Sequence, residues 1–171
     1  MSENSHRSRS FTTQLATGEG VYGLILVSGL VATASSAGAS SFRVLTFVAI
    51  TVAVFWLAHV YSNVVAGHGR ADQDGRPKLL RQSVRESVRE TRGMLFATVF
   101  PAATLLLGVL GVVQDRTANW LALWVCVGAL AALGYRSYQA VGARLGTRII
   151  GALATASFGL IIIAAKAIVT H

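Results

Sequence analysis

Charged side chains are scarce in this chain of 171 residues, in which Lys, Arg, Asp and Glu together make up 13%. That share is about half of what is usual in a soluble domain. A water-soluble helical protein needs a polar face on each helix, and the long apolar stretches here do not provide one. The hydrophobic share is 53% and the mean hydropathy is +0.58. The composition therefore excludes an ordinary soluble domain and predicts an integral membrane protein.

Cysteine is almost absent, since Cys126 is the single one and it lies inside an apolar stretch. One thiol cannot build a disulfide framework or a CxxC metal site. The chain also has no glycine-rich phosphate loop ending in GK[ST], no HExxH motif, and no convincing set of Ser, His and Asp. We therefore expect no enzymatic activity and no bound cofactor.

Five apolar stretches are long enough to cross a bilayer as helices, because about 20 helical residues span a hydrocarbon core of roughly 30 Å. The stretches cover about residues 20–36, 44–65, 93–113, 117–135 and 148–170. An open strand could not satisfy its backbone groups in lipid. The sequence thus predicts an all-α bundle of five transmembrane helices over residues 18–171, after a flexible cytoplasmic tail over residues 1–17.

Basic residues are concentrated on one side of this bundle, and the formal net charge of the chain is +8. The tail and the connections after spans two and four hold or border every Lys and Arg except Arg43, Arg116 and Lys166. Positive residues favour the cytoplasmic side. We expect a cytoplasmic N-terminus, an outside C-terminus and a membrane of the bacterial cytoplasmic type. Anionic lipid headgroups, rather than nucleic acid, are the expected partner of the basic segments.

Span one has a competing interpretation. The basic residues before it, its apolar run and the small residues Ala37-Gly38-Ala39 together resemble a signal peptide with its cleavage site. The segment before the apolar run is long for a signal peptide, so we expect span one to be retained. Its removal would leave four spans in the same orientation.

A tandem repeat, SVRESVRE at residues 83–90, lies between spans two and three. No helix breaker interrupts residues 78–92, so we expect a helical cytoplasmic extension of span three. Spacing of four residues produces nearly continuous stripes along a helix. Three such stripes are Leu80, Val84 and Val88; Arg81, Arg85 and Arg89; and Gln82, Glu86 and Glu90.

The charged stripes of this extension permit more than one use. It could be a solvated segment steered by lipid headgroups, or a docking surface for another protein. Cation binding by the two glutamates is disfavoured, because the neighbouring arginines repel cations. The residues expected to form a partner or lipid surface are Arg81, Arg85, Arg89, Glu86 and Glu90.

His59 is the strongest candidate for chemistry inside the membrane, where ionisable groups are costly and therefore informative. Ser62 and Asn63 follow it at i+3 and i+4, so we expect all three on one polar helix face. That face should point into the bundle or into a water-filled vestibule. Imidazole can relay protons or bind a metal near neutral pH. The alternative is a histidine that hydrogen-bonds a neighbouring helix and serves packing alone.

Two other ionisable residues border the spans. Glu19 opens span one, where a carboxylate favours the positive end of the helix dipole; it could also gate a pathway, pair with a basic residue, or meet His59 across the bundle. Lys166 lies near the outer end of span five, and we expect its ammonium to reach out to the headgroups.

Small residues recur at helical spacing and predict close helix packing, because lipid supplies no hydrophobic drive between helices. Gly151, Thr155 and Gly159 of span five, and Gly128 and Ala132 of span four, are expected to face protein. In span three, Pro101 should leave the carbonyl of Ala97 without its helical partner, and Thr98 or Thr104 could compensate.

The five spans, the cytoplasmic N-terminus and the helical extension are similar in layout to the vacuolar iron transporter family. Glu19-Gly20 stands where that family has Asp-Gly at the start of span one. The acidic, Met-containing pattern of the family's second span is missing here, and only His59 and Asn63 could offer ligands in that stretch. The resemblance therefore covers topology without the motif.

Two functions remain open from the sequence. The first is a small transporter or channel for protons or cations, with a pathway along His59, Ser62, Asn63 and Glu19. The second is a non-catalytic scaffold or interaction subunit that binds partner helices or a cytosolic protein. A homo-oligomer is compatible with both.

Overall fold

The computed structural model describes residues 18–36, 38–67, 83–85, 87–88 and 91–169. These residues form five long helices and no strand. The helices are α1 (Gly18–Ser36), α2 (Ser41–Gly67), α3 (Arg92–Val109), α4 (Asp115–Ala140) and α5 (Leu145–Val169). Each is long and apolar enough to cross a membrane, which confirms the predicted all-α class and the predicted number of span-length helices. The expected tail over residues 1–17 lies outside the described residues.

Two glycines end helices α3 and α4. Gly111 and Gly142 both have a φ of 71°, a left-handed conformation that glycine adopts without a steric penalty. After α3, the N–H of Val112 donates to the carbonyl of Leu107; after α4, Ala143 donates to Tyr138 in the same way. These bonds satisfy carbonyls that the helix leaves unpaired. Because of the first turn, α3 ends at Val109 rather than near residue 113 as the hydropathy predicts.

Helix α1 is central in the bundle and packs against each of the other four helices. Helix α4 also packs against all four of the others, and each of α2, α3 and α4 packs against the next helix along the chain. In α1 and α4, 39% and 44% of the most apolar window is buried, against 17% in both α2 and α5. Helices α1 and α4 are therefore the more buried ones, while α2 and α5 turn most of their surface outwards.

The interior of the bundle is apolar. Val27 and Val31 of α1 meet Leu105 of α3 and Leu123 and Leu130 of α4, and these five side chains are fully buried. Many large apolar side chains point outwards instead, which a membrane accommodates and water does not. Helix α1 contributes Val27 and Val31 to this core, so its removal as a signal peptide would take both side chains away.

The seam between α4 and α5 is made of small residues. Gly134 lies directly against Gly151 and Thr155, and Gly151 lies under the ring of Tyr138. Gly159 contacts Val127. The small residues of span five therefore face protein, as predicted.

Gly128 and Ala132 of α4 do not face protein, so the prediction for the small residues of span four is wrong. Both are exposed on the surface of the bundle, and no atom of the described chain lies within 4 Å of a Cβ atom added at Gly128. Helix α5 approaches α4 at Gly134, and Gly128 and Ala132 lie on a different side of α4. The spacing of small residues marks a possible packing face, but it does not say which face the monomer uses.

Pro101 is fully buried within the continuous helix α3. The hydroxyl of Thr98 donates to the carbonyl of Met94 over 3.0 Å, and that of Thr104 donates to the carbonyl of Pro101 over 2.7 Å. Neither hydroxyl reaches the carbonyl of Ala97, contrary to our expectation. Both instead make the i−3 or i−4 bond that is usual for Ser and Thr in helices.

Candidate functional site

The alternating helices bring polar residues together at two opposite ends of the bundle. At one end, which we name the Glu19 end, the start of α1 lies beside α2 and the start of α3, where Gly23 contacts Met94. At the other, which we name the Lys166 end, the last turn of α5 meets the end of α1 at Ser35. The apolar core described above separates the two ends.

His59 and Glu19 meet at the Glu19 end, although they are 40 positions apart in the sequence. The Nε2 atom of His59 lies 3.9 Å from Oε1 of Glu19. This separation is within ion-pair range but longer than a direct hydrogen bond. The exposed fractions of the two side chains are 41% and 28%, so the pair is partly covered by protein and still open to one side. The meeting of Glu19 with His59 across the bundle, one of those predicted for Glu19, is therefore present.

One aromatic ring stacks on this pair, and a second lies one turn before His59 on α2. The ring of Tyr22, one turn after Glu19, stacks on His59 with 6.3 Å between centroids and an interplanar angle of 27°. Trp56 precedes His59 by one turn of α2, and its Nε1 atom is buried without a hydrogen-bond partner in the described part of the chain. A buried donor of this kind usually indicates a place for water or another small polar molecule. The imidazole is thus held by one ring, with an unsatisfied donor one turn away.

The two other candidates of span two are placed differently. Asn63 is half-buried, like His59, whereas Ser62 is exposed. The inward face of α2 continues from Val48 and Val52 through His59 to Asn63, and Ser62 lies beside it. Of the three residues predicted to share one face, the described chain thus partly covers His59 and Asn63 and leaves Ser62 exposed.

The extension between α2 and α3 is described only in part. Residues 83–85 and 87–88 are helical, and Arg85 is exposed. Ser83 and Ser87 are 6% and 4% exposed, whereas Val84 is 41% exposed. The buried stripe of the repeat is thus the serine stripe, which hydropathy does not single out.

The hydroxyl of Thr91 continues this buried stripe, since it donates to the carbonyl of Ser87 over 2.8 Å. The other residues expected to form the partner or lipid surface, Arg81, Glu86, Arg89 and Glu90, lie outside the described residues.

A metal centre is not assembled from the described part of the chain, in which no three His, Cys, Asp or Glu side chains come together. Asn63 follows His59 by one turn on the same side of α2 and is half-buried like it.

At the opposite end, the position of Lys166 differs from the predicted one. Its residue is only 7% exposed, and its ammonium donates to the hydroxyl of Ser35 over 2.6 Å. The Nζ atom also lies 4.7 Å from the centroid of the Trp120 ring, at a distance typical of a cation–π contact. The side chain therefore turns into the bundle instead of reaching out to the headgroups. The sequence did contain a signal, because Trp120 and Asn119 open span four at the same membrane level.

The connection between α1 and α2 is fastened to α4 at this end. The backbone N–H of Ser41 donates to Oδ1 of Asp115 over 2.9 Å, and Nδ2 of Asn119 donates to the carbonyl of Ala39 over 3.3 Å. Ser41 is the first residue of α2, so the carboxylate caps a helix other than its own. These bonds hold the residues around Lys166 in place.

An apolar groove of about 660 Å³ runs along the outside of α3 and α4. Phe100 and Trp124 are among its walls, Gly128 and Ala132 lie along it, and Arg136 borders it. It is the surface on which span four exposes its small residues.

Comparison with protein-family models, with curated proteins and with solved structures finds no match for this chain.

Proposed function

We propose that this multi-pass membrane protein is a small transporter that moves protons, alone or coupled to another solute, through the Glu19–His59 pair. The observation that carries the proposal is the meeting of these two side chains from α1 and α2, with Nε2 and Oε1 3.9 Å apart. Imidazole is the side chain that gains and loses a proton most readily near neutral pH. A carboxylate beside it stabilises the protonated form and can accept the proton in turn.

The surroundings of the pair support this role. Partial exposure lets water deliver protons from the Glu19 end, while the stacked Tyr22 ring limits the motion of the imidazole. The fully buried Val27, Val31 and Leu130 close the way towards the Lys166 end. This arrangement is typical of a transporter that exposes its site to one side at a time, and it does not favour an open pore.

We infer that the Glu19 end faces the cytoplasm, because the basic residues gather in the connections on that side of the bundle. The proton site would then exchange with the cytoplasm, and the Lys166 end would face outwards.

Proton movement can be tested with purified protein in liposomes that enclose a pH-sensitive dye. An imposed pH gradient with a charge-compensating potassium ionophore should produce a faster pH change than in empty vesicles. We expect His59→Ala and Glu19→Gln each to reduce this rate at least tenfold, because either change removes one half of the pair.

Tyr61→Phe is the matched control for this experiment. Tyr61 lies on the same helix two residues after His59, but it is 71% exposed and points away from the pair. Its substitution should leave the proton flux unchanged. If His59→Ala transports protons as fast as the parent protein, the assignment of the site is wrong.

A second candidate function is an interaction subunit, which the α3–α4 groove favours. Gly128 and Ala132 form a small-xxx-small pattern on an exposed helix face, a pattern by which membrane helices associate closely. The occupant that fits best is the same face of a second copy, since two such faces can interlock. In that case the protein would act as a homodimer.

Crosslinking in native membranes tests the homodimer. Gly128→Ile should abolish the crosslinked dimer without unfolding the monomer, because the described chain leaves the space beside Gly128 open. Ala103→Ile, on an exposed position of α3 that does not line the groove, is the control and should not change the dimer. A dimer that persists in Gly128→Ile would exclude this interface.

A further inference from the structure

A second cavity, of about 420 Å³, lies at the Lys166 end of the bundle. It is enclosed by the end of α1, the α1–α2 connection, the first turns of α4 and the last turns of α5. Its lining includes Ser35, Asp115, Arg116, Asn119, Trp120 and Lys166. This volume falls within the range of small-molecule sites in proteins, and the polar lining is unusual beside such an apolar core.

Lys166 places a positive charge in the wall of this cavity. Lys166 is 7% exposed. Burial of an ammonium group is costly unless hydrogen bonds and charges compensate it. The hydroxyl of Ser35 and the face of Trp120 supply part of this compensation. Arg116 adds a second cation to the lining. Two cations and one carboxylate leave a positive balance, which favours an anionic ligand.

Asp115 reduces this balance without reversing it, because one carboxylate stands against the two cations among the lining side chains. Oδ1 of Asp115 accepts the backbone N–H of Ser41 at the start of α2, where a negative charge is favoured by the helix dipole. The carboxylate therefore also fastens α2 to α4.

Asn119 requires a partner that the described chain does not provide. The residue is 4% exposed and lines the cavity. Its Nδ2 donates to the carbonyl of Ala39, which identifies the amide nitrogen. Its Oδ1 is buried and has no hydrogen-bond donor among the described residues. A buried acceptor left unpaired is costly, so a donor from a bound molecule is expected here.

We propose that this cavity binds a small organic anion that has a carboxylate and, next to it, a hydroxyl or amino donor. The carboxylate pairs with the ammonium of Lys166, and the donor satisfies Oδ1 of Asn119. The site lies at the end of the bundle opposite to the Glu19–His59 pair and does not depend on the proton function of that pair.

Calorimetric titration of the purified full-length protein in detergent tests the proposal with three probes. Acetate has the carboxylate alone, glycolate adds a hydroxyl, and glycine adds an amino group. We expect glycolate or glycine to bind roughly three- to tenfold more tightly than acetate, as one additional hydrogen bond predicts. Equal affinity for all three, or no binding of any, would overturn the proposal. This comparison needs no variant, so it stands even if a substitution impairs folding.

Two substitutions then assign the parts of the site. Lys166→Met should weaken every probe at least tenfold, because it removes a charge-assisted hydrogen bond. Asn119→Leu should bring glycolate and glycine down to the affinity of acetate and leave acetate itself unchanged. Undiminished binding in Lys166→Met would show that the probes bind elsewhere, and a preference that survives in Asn119→Leu would exclude Oδ1 as the acceptor.

Arg43→Gln is the control for the change in net charge. Arg43 is exposed at the same end of the bundle but does not line the cavity. Its loss should not alter the affinity of any probe. Equal weakening by Arg43→Gln and Lys166→Met would overturn the proposal, because the effect would then come from the overall charge.

Discussion

At Gly134 the backbones of α4 and α5 approach so closely that any side chain would collide. A Cβ atom there would overlap the hydroxyl of Thr155 and the backbone of Gly151. At Gly128, on the same helix, a Cβ atom would meet no described atom within 4 Å. Two glycines six positions apart thus have opposite roles. Since helices in lipid associate through close packing, the first glycine holds the bundle together and the second leaves a surface open.

This contrast predicts the effect of alanine at the two positions. Gly134→Ala should destabilise the protein by about 1–3 kcal/mol, because backbone atoms cannot yield to the added methyl group. Gly128→Ala should cause no loss, since alanine is also the better helix former. Unfolding of the two variants in detergent, followed by heating or by SDS titration, measures both effects. A Gly134→Ala variant as stable as the parent would contradict the packing described for this seam.

Helices α4 and α5 are joined by one hydroxyl as well as by small residues. The hydroxyl of Thr155 lies 2.8 Å from the carbonyl of Leu130 in α4, and 3.0 Å from the carbonyl of Gly151 in its own helix. A single hydrogen can serve these acceptors only by sharing. Even so, the bond to α4 fixes the rotation of α5 about its axis, and this rotation turns Gly151 and Gly159 towards α4.

Thr155→Val removes the hydroxyl and keeps the shape of the side chain. We expect a loss of about 0.6–1.5 kcal/mol in the free energy of unfolding, the range for hydrogen bonds between membrane helices. Ser157→Ala is the control, because the exposed hydroxyl of Ser157 bonds only to Ala154 of its own helix and its loss should change stability by less than about 0.5 kcal/mol. The same SDS titration measures both variants, and an equal effect would show that the bond between the helices contributes nothing.

The bundle as a whole separates its polar groups into two ends with different chemistry. The Glu19 end holds a carboxylate beside an imidazole, and the Lys166 end holds a buried ammonium beside an amide and an indole. Between them the described core is apolar. Under the two proposals, protons bind at the Glu19 end of the bundle and a small anion binds at the Lys166 end. Such an arrangement would suit a transporter that couples the movement of protons to that of the anion.

The threading of the chain can be tested with reporters fused at defined positions. The reporter is a phosphatase that is active only outside the cytoplasm. We expect it to be active when fused after His171, because an odd number of spans puts the two ends of the chain on opposite sides. It should be inactive when inserted within residues 68–82, because the basic connections stay in the cytoplasm. A fusion within residues 110–114 is the internal control and should agree with the C-terminal one. An inactive C-terminal fusion together with an active fusion within residues 68–82 would reject this orientation.

Several features of the molecule were predictable from the residues alone. The helix count and the all-α class followed from apolar length, and the inward turn of the span-five small residues followed from their spacing. Glu19 and His59 stand out in the sequence as ionisable groups bordering or inside spans, and their meeting is one of several that the sequence permits. The burial of Lys166 and the open face at Gly128 cannot be read from the sequence, because each depends on the rotation of one helix against another.

Composition and charge spacing were sufficient for the class and the number of the helices, because the transfer of each segment from water to hydrocarbon is a property of that segment. The partners of the polar side chains are a different matter. Whether Lys166 reaches a headgroup or Ser35, and whether Glu19 meets His59 or an arginine, depends on how far each helix is turned and shifted in the assembled bundle. In lipid this is governed by the fit of small residues such as Gly134 against a neighbouring helix, and no single segment contains that information.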